Sequence, residues 1–158
     1  PRSAAALLPG VSVPTKFRAI VNAHFRFVPP SHLPPMTGVV NGLIEWLFAF
    51  PDRLSITISG GDRLVDMPRE DLARAIWKDI CAVAGIEAAM PAWQIVRERR
   101  ATFEASPEQN ALRPGTQTEW KNLFLAGDWT DTGLPATIEG AVRSGNRAAD
   151  HVLKNHGP

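Results

Sequence analysis

The chain is poor in residues that cross-link, hold metals or bind polyanions. Its single cysteine, Cys81, excludes an internal disulfide and any multi-cysteine metal site. The 17 basic residues nearly balance the 16 acidic ones, so the basic excess typical of a nucleic-acid binder is missing and we expect no nucleic-acid partner. The four histidines do not pair at ligand spacing with cysteines or carboxylates, so we expect no metal site. Hydrophobic residues make up 44% of the chain, which favours a packed core over disorder.

Long apolar runs are also missing. The longest, residues 37–50, is interrupted by Asn41, Gly42 and Glu45, and it is shorter than the ~20 residues that a membrane-spanning helix needs. Residues 1–17 do not have the layout of a signal peptide. A free cysteine fits a reducing compartment, so we expect a cytoplasmic protein, with peripheral contact at the inner membrane face left open. Because the chain does not start with Met, we expect it to be part of a longer protein.

The first two thirds predict an antiparallel sheet with one helix. Residues 19–27 alternate between apolar and polar side chains, as in a half-buried strand. Residues 36–50 indicate two short strands joined by a tight hairpin at Asn41 and Gly42. Strands are also predicted at 54–59 and 93–103, and a helix between Pro68 and Gly85. The alternating aromatic residues Trp46, Phe48 and Phe50 are expected in the core, with a substrate channel or a membrane-facing patch as the alternative.

The last third predicts one β-loop-α unit. Residues 106–119 show no periodicity and are expected to form a loop. The run Leu123–Ala126 is continuously apolar, which is typical of a strand buried on both faces. Apolar residues then recur at helical spacing from Ile138 to Leu153. The fold class is therefore α+β, with one α/β unit at its end.

The segment between this strand and the last helix carries the features of a ligand site. Gly127 allows backbone to approach a ligand closely, and the Asp128 carboxylate can accept hydrogen bonds from sugar-like hydroxyls. Pro135 suits the first turn of a helix, which leaves the N–H groups of residues 136–138 free to face an anion or a polarised carbonyl. Gly140, Ser144 and Ala148 form a narrow seam on the helix, for another backbone or a flat ligand. The alternative is a plain strand-loop-helix with small-residue packing.

The segment LAGDWTDTGLPATIEGAVRSG (residues 125–145) resembles the C-terminal flavin-contacting signature of the FAD-dependent amine oxidase and phytoene desaturase superfamily. The resemblance extends upstream to LLPG (7–10), IVNAHFR (20–26) and RERRATFEASPEQNALRP (97–114). These segments are similar to one subgroup, the squalene-associated FAD-dependent desaturases, which include hydroxysqualene dehydroxylases of hopanoid biosynthesis. The likeness runs from about residue 4 to residue 153.

The resemblance implies FAD as cofactor and a squalene- or phytoene-like isoprenoid as substrate. Residues 1–105 would be part of a substrate-binding domain, and residues 106–158 the C-terminal part of an FAD-binding domain. The resemblance implies that nine residues contact the cofactor: Gly127, Asp128, Trp129, Gly133, Leu134, Pro135, Ala136, Thr137 and Ile138. Flavin carries the redox chemistry, so no residue is assigned as acid, base or nucleophile.

The superfamily's G-x-G-x-x-G fingerprint, which cradles the FAD pyrophosphate, is missing from this sequence. We therefore expect that the chain alone neither retains FAD nor catalyses a reaction. We also expect a homodimer that buries Leu123–Ala126 and the seam, because unpaired strand edges recruit other chains. The alternatives are a non-catalytic, self-associating substrate-domain module and a fragment of an FAD-dependent amine oxidase.

Overall fold

The computed structural model describes residues 1–156, and these residues form one five-stranded sheet with helices before, between and after its strands. The strands are β1 (Phe17–Phe25), β2 (Met36–Gly38), β3 (Trp46–Phe50), β4 (Arg53–Ile58) and β5 (Trp93–Phe103). The α-helices are α1 (Arg2–Leu7), α2 (Arg69–Ala84), α3 (Pro107–Ala111) and α4 (Ile138–His156), and a 3-10 turn covers Gly61–Leu64. The α+β class predicted from the sequence is confirmed.

The sheet has the order β2-β3-β4-β1-β5. Strands β2, β3 and β4 form the predicted antiparallel meander, and β1 pairs antiparallel with the far side of β4, with Ala23 opposite Ile56. The alternation predicted for β1 is confirmed, because Ala19, Val21, Ala23 and Phe25 are buried while the residues between them are partly exposed. One face of the sheet therefore forms the core.

Helix α2 covers that face. Its buried residues include Leu72, Ile76 and Ile80, the predicted apolar stripe, and they join the same hydrophobic cluster as β1 and β4. Trp77 packs on Phe25 with ring centroids 5.1 Å apart. The predicted cap is confirmed, because Gly85 ends the helix with φ of +63°.

The prediction of a tight hairpin at Asn41 and Gly42 is wrong. Residues 39–45 form a longer connection between β2 and β3, although Asn41 does adopt a positive φ of 61°. The connection is longer because Ile44 is buried in the core and its N–H donates to Asp79 Oδ2 of α2 at 2.9 Å. Core burial and this helix contact outweigh the local turn preference.

The core position predicted for three aromatic residues of β3 is also wrong. Trp46 (42%) and Phe50 (39%) remain exposed, Phe48 is half-buried, and Leu47 between them is the fully buried residue. The period of two was identified correctly, but it was assigned to the opposite face. The large aromatic side chains lie on the side of the sheet away from α2.

Two predictions for residues 106–126 need correction. The segment 106–119 is not all loop, because Ser106 caps α3 through its side-chain oxygen, 3.3 Å from the Gln109 nitrogen, and Pro107 occupies the first turn. The run Leu123–Ala126 is not a buried strand; within residues 1–156 it forms a single bridge, between Phe124 and Gln117. Of its residues only Leu125 is buried, because no second strand lies on its other side in this part of the chain.

The chain divides into two compact units. One contains residues 1–17 and 102–158, and the other contains residues 18–101. The first unit holds α1, α3 and α4, and the second holds most of the sheet with α2. The functional division at residues 105 and 106 stays a prediction. None of the helices described is long and apolar enough to cross a membrane.

Candidate functional site

The loop that precedes α4 is held by hydrogen bonds around Ser144. Gly127 lies at φ +137°, a conformation that L residues rarely adopt, and the Trp129 indole packs so closely that a Cβ on Gly127 would lie 2.6 Å from Nε1. The Gly127 N–H donates to Ser144 Oγ at 3.1 Å, and Ser144 Oγ lies 2.6 Å from Thr130 Oγ1. Only glycine fits position 127, and the group that approaches it closely is the chain's own Trp129 indole, so its contact with a ligand stays a prediction.

The small-residue seam of α4 therefore packs on the chain's own loop. Ser144 is fully buried, and a Cβ on Gly140 would lie 3.0 Å from the Pro135 carbonyl oxygen and 3.5 Å from Thr132 Oγ1. The expectation that this seam lacks a partner is wrong, since residues 127–135 occupy it. The seam therefore serves close backbone packing, one of the two uses predicted for it.

Helix α4 starts later than the sequence predicted. Thr137, rather than Pro135, ends the loop, because its Oγ1 accepts the Gly140 N–H at 3.1 Å and its carbonyl accepts the Ala141 N–H at 3.0 Å. Pro135 and Ala136 lie outside the helix. The helix N–H groups without an intrahelical acceptor are thus those of Ile138 and Glu139. Ile138 is 86% exposed, so this helix start is open within the structure.

Arg113 is the residue that the sequence analysis missed. It is only 8% exposed, and its guanidinium donates to the carbonyl oxygens of Leu134 (2.7 Å), Asp128 (3.1 Å) and Thr130. It also reaches Asn110 Oδ1 at 3.1 Å and stacks over the Phe103 ring at 5.0 Å. In the sequence it looked like one more surface arginine before a proline. The sequence feature that could have identified it is its position between a short capped helix and a loop rich in glycine and proline.

A cavity of about 520 Å³ adjoins this loop. Gly133, Leu134, Pro135 and Ala136 line it from the loop side, facing α3 and the end of β5. The other five predicted cofactor contacts are not among its lining residues. At the start of α3, the pKa of the Glu108 carboxyl is lowered by hydrogen bonds from its own backbone N–H and from the Ser106 hydroxyl. These hydrogen bonds favour the negatively charged carboxylate.

Asp128 is the free acceptor of the site. Its carboxylate has no hydrogen-bond partner among residues 1–156, although its backbone carbonyl is held by Arg113. The side chain is half-buried. An unpaired carboxylate next to a glycine at positive φ, followed further along the chain by a helix start with free N–H groups, has the group types that would suit the hydroxyls and the polarised carbonyl of a flavin with its ribityl chain. No group of three or more metal-ligating side chains occurs in the part of the chain that the structure describes.

The sheet presents a second surface, which we call the open face. It consists of the side chains that point away from α2 on four neighbouring strands: Asn22, His24, Met36, Trp46, Phe48, Ser55 and Thr57. Its polar half has two cross-strand pairs, His24 Nδ1 with Ser55 Oγ at 2.8 Å and Thr57 Oγ1 donating to Asn22 Oδ1 at 2.7 Å. Its apolar half has Met36, Trp46 and Phe48. This face of the sheet thus places apolar side chains beside imidazole, amide and hydroxyl groups, of which the Ser55 hydroxyl is itself buried.

The charged run of β5 has a structural role. Arg97 donates to the carbonyl oxygens of Val65 at 2.9 Å and Met67 at 2.6 Å, and Arg99 forms an ion pair with Asp66 at 2.7 Å. These bonds fix the turn that leads into α2.

A family model described as flavin containing amine oxidoreductase matches residues 4–153. Hydroxysqualene dehydroxylase of Rhodopseudomonas palustris is 71% identical over 153 residues, which are 97% of this chain and 37% of the relative. Hydroxysqualene dehydroxylase of Sinorhizobium fredii is 69% identical over the same shares. The chain thus spans little more than a third of the curated relatives it matches.

Two more distant matches, one in sequence and one in structure, also cover much of the chain. A protein named as a probable zeta-carotene desaturase in Synechococcus elongatus is 28% identical over 103 residues, 64% of this chain and 21% of the relative. The solved structure of a protein named as a protoporphyrinogen oxidase from Exiguobacterium sp. 255-15 superposes with a TM-score of 0.52 at 17% identity. It covers 99% of this chain and 32% of that one, and the likeness concerns the fold alone.

Proposed function

The chain belongs to the flavin containing amine oxidoreductase family, and from this premise we propose that it is the part of an FAD-dependent oxidoreductase that carries one end of the flavin site and a substrate surface. The observation that carries the proposal is the conformation of residues 127–139: a glycine at positive φ, an unpaired carboxylate and an open helix start follow one another. The names of the relatives at 71% and 69% identity support it independently.

Asp128, Ile138 and Glu139 are the residues that we propose for the flavin. The Asp128 carboxylate accepts hydrogen bonds from ribityl or ribose hydroxyls, and the N–H groups of Ile138 and Glu139 face the pyrimidine edge of the ring. When bound, FAD supplies the two-electron redox chemistry. A helix start stabilises negative charge near it by ~0.3–2 kcal/mol, so it favours the reduced, anionic ring. The other predicted contacts stay part of the proposal: Gly127, Trp129, Gly133, Leu134, Pro135, Ala136 and Thr137.

The substrate class that we propose is an isoprenoid alcohol, as in the names of the two relatives. Removal of its hydroxyl breaks a C–O bond and forms a C–H bond, consuming two electrons and two protons and releasing water. The open face matches this molecule. Its aromatic half would accept the hydrocarbon chain, and the partly exposed His24 imidazole, held 2.8 Å from the buried Ser55 Oγ, would hydrogen-bond the hydroxyl.

The experiment uses a chimera in which this chain replaces the segment it matches in the Rhodopseudomonas palustris relative. We expect the chimera to bind FAD and to convert hydroxysqualene to squalene when a reductant is supplied. If the chimera instead oxidises a primary amine or a polyamine and does not convert the alcohol, the amine oxidase alternative is supported. A chimera that folds and contains no flavin would refute the proposal.

Asp128→Asn in this chimera tests the flavin assignment. A buried hydrogen bond to a charged acceptor contributes ~1.5–3 kcal/mol, so we expect FAD to bind at least tenfold more weakly, with little change in the KM of the substrate. Asp150→Asn is the matched control, because Asp150 is an exposed carboxylate on α4. Equal FAD affinity for both variants would contradict the role of Asp128.

A further inference from the structure

Arg113 carries a buried positive charge that no carboxylate contacts in the part of the chain that the structure describes. Its guanidinium nitrogens reach three backbone carbonyls, Asn110 Oδ1 and, at 3.4 Å, Thr132 Oγ1, all of them uncharged groups. Its Nε is buried and has no partner among residues 1–156. Burial of a charge without a counter-ion is costly.

The three carbonyls belong to residues 128, 130 and 134, so they cover most of the loop between Gly127 and the start of α4. One planar fork with several donors can hold them together, whereas a lysine ammonium lacks that fixed geometry. Because these oxygens turn inward to Arg113, the negative ends of their dipoles are taken up within the protein. The loop therefore does not present them to a ligand.

Several N–H groups of the same loop are also used within the protein. Thr130 N donates to Gly127 O at 3.1 Å, Asp131 N donates to Pro114 O at 2.8 Å, and Gly133 N donates to Asp131 Oδ1 at 3.2 Å. The loop is thus held through both its carbonyl and its N–H groups. The Asp128 carboxylate and the helix start are not used in this way.

We propose that Arg113 is a positioning residue for the flavin: it holds loop 128–134 in the binding conformation and makes this wall of the site electropositive, which favours the reduced, anionic cofactor. The proposal rests on the proposed function above. Arg113 does not touch the reacting atoms. It acts through the loop that carries Asp128 and through its own uncompensated charge.

The test uses the chimera with Arg113→Met and Arg113→Lys, and Arg143→Gln as the matched control. Arg143 is an exposed arginine on α4 that pairs with Glu139 at 2.6 Å. We expect Arg113→Met to weaken FAD binding more than tenfold and to lower the midpoint potential of the bound flavin. Arg113→Lys keeps the charge, so it should weaken binding while leaving the potential near that of the parent. Arg143→Gln should change neither.

Hydrogen exchange on the 158-residue chain separates this proposal from the proposed function. Arg113→Met should speed exchange of the amides of Thr130, Asp131 and Gly133, while amides of β1 and β4 keep their protection. If the chain shows this exchange pattern but the chimera contains no flavin, the proposed function is refuted and the loop-holding role of Arg113 stands. Unchanged exchange in the loop, or a flavin potential equal in Arg113→Met and the parent, would overturn the proposal; so would Arg113→Met chains that lose the sheet as well as the loop.

Discussion

At the scale of single residues, the N-terminus of α4 depends on Thr137. Its hydroxyl oxygen accepts the Gly140 N–H at 3.1 Å, so it satisfies one of the N–H groups that a helix start leaves free. Because loss of such a cap costs ~1 kcal/mol, we expect Thr137→Ala to lower the free energy of unfolding by about that amount. Thr137→Ser keeps the oxygen and should retain most of it. Urea denaturation of the chain measures both, and equal losses would contradict the cap.

Thr137 also shows what sequence could reveal about the site. Proline is favoured in the first helical turn, so Pro135 predicted a start there, and threonine two residues later competed with it as a cap. The free energies of a helix that starts at Pro135 and of one capped by Thr137 differ by little at the local level. The contacts of Gly140 with Pro135 and Thr132 settle the choice, and they depend on how the loop folds back. The residue types of this loop and helix start could be read from the sequence, but the position at which the helix begins could not.

A second residue-scale prediction concerns His24. In the chimera, His24→Leu leaves Ser55 without its partner on the open face, so we expect the KM for the alcohol to rise about tenfold, from the loss of a hydrogen bond worth ~1 kcal/mol or more. FAD content should not change. The control is His151→Leu on α4, which lies outside the open face. An equal KM in both variants would exclude His24 from substrate recognition.

At the scale of elements, two glycines of α4 form a natural pair for comparison. A Cβ at Gly145 would meet nothing within 4 Å, whereas a Cβ at Gly140 would lie 3.0 Å from the Pro135 carbonyl oxygen. Gly145→Ala should therefore stabilise the chain by ~1 kcal/mol, the usual difference in helix propensity. Gly140→Ala should destabilise it, since crowding in a packed site costs ~1–3 kcal/mol. Thermal unfolding measures the melting temperature of both variants. A rise of the melting temperature in both would contradict the packing role of Gly140.

The elements differ in how well the sequence predicted them. Strand β5 and helix α2 were predicted almost to the residue, because alternation, an acidic first turn and a terminal glycine all agreed. The run Leu123–Ala126 was misassigned, because a strand forms only where another strand supplies its hydrogen bonds. The composition of a segment indicates that it can form a strand. Whether it does so depends on whether another strand lies beside it. The aromatic residues of β3 were placed on the wrong face for a similar reason.

At the scale of the whole molecule, an apolar row on α4 remains exposed. It comprises Ile138, Val142, Ala149, Val152 and Leu153, and Leu153 is 69% exposed. Apolar surface buried between two copies gains ~25 cal/mol per Å², so we expect the chain to self-associate with rising concentration. Val142→Glu with Leu153→Lys should shift it toward monomer in light scattering. A monomeric parent at millimolar concentration would exclude this surface.

Cofactor retention is the other prediction for the whole chain. Residues 127–139 offer contacts to the flavin end of FAD, and the sequence has no G-x-G-x-x-G fingerprint for the pyrophosphate. We therefore expect the purified 158-residue chain to show no flavin absorbance, and added FAD to wash off in gel filtration. Stoichiometric yellow flavin in the purified chain would contradict this.

The path of the backbone determines which segment of the chain can be exchanged as a unit. The chain leaves the unit with α4 after Phe17 and returns to it at Thr102, and these crossings are neighbours, since the Glu104 N–H donates to the Lys16 carbonyl at 2.9 Å. Gln109 Oε1 ties the same stretch to Thr15 N at 2.7 Å and to Lys16 N at 2.9 Å. A segment whose ends lie side by side can be exchanged as a cassette with little disturbance of its host. Residues 18–101 can thus be replaced by a different sheet segment while the loop that Arg113 holds stays unchanged.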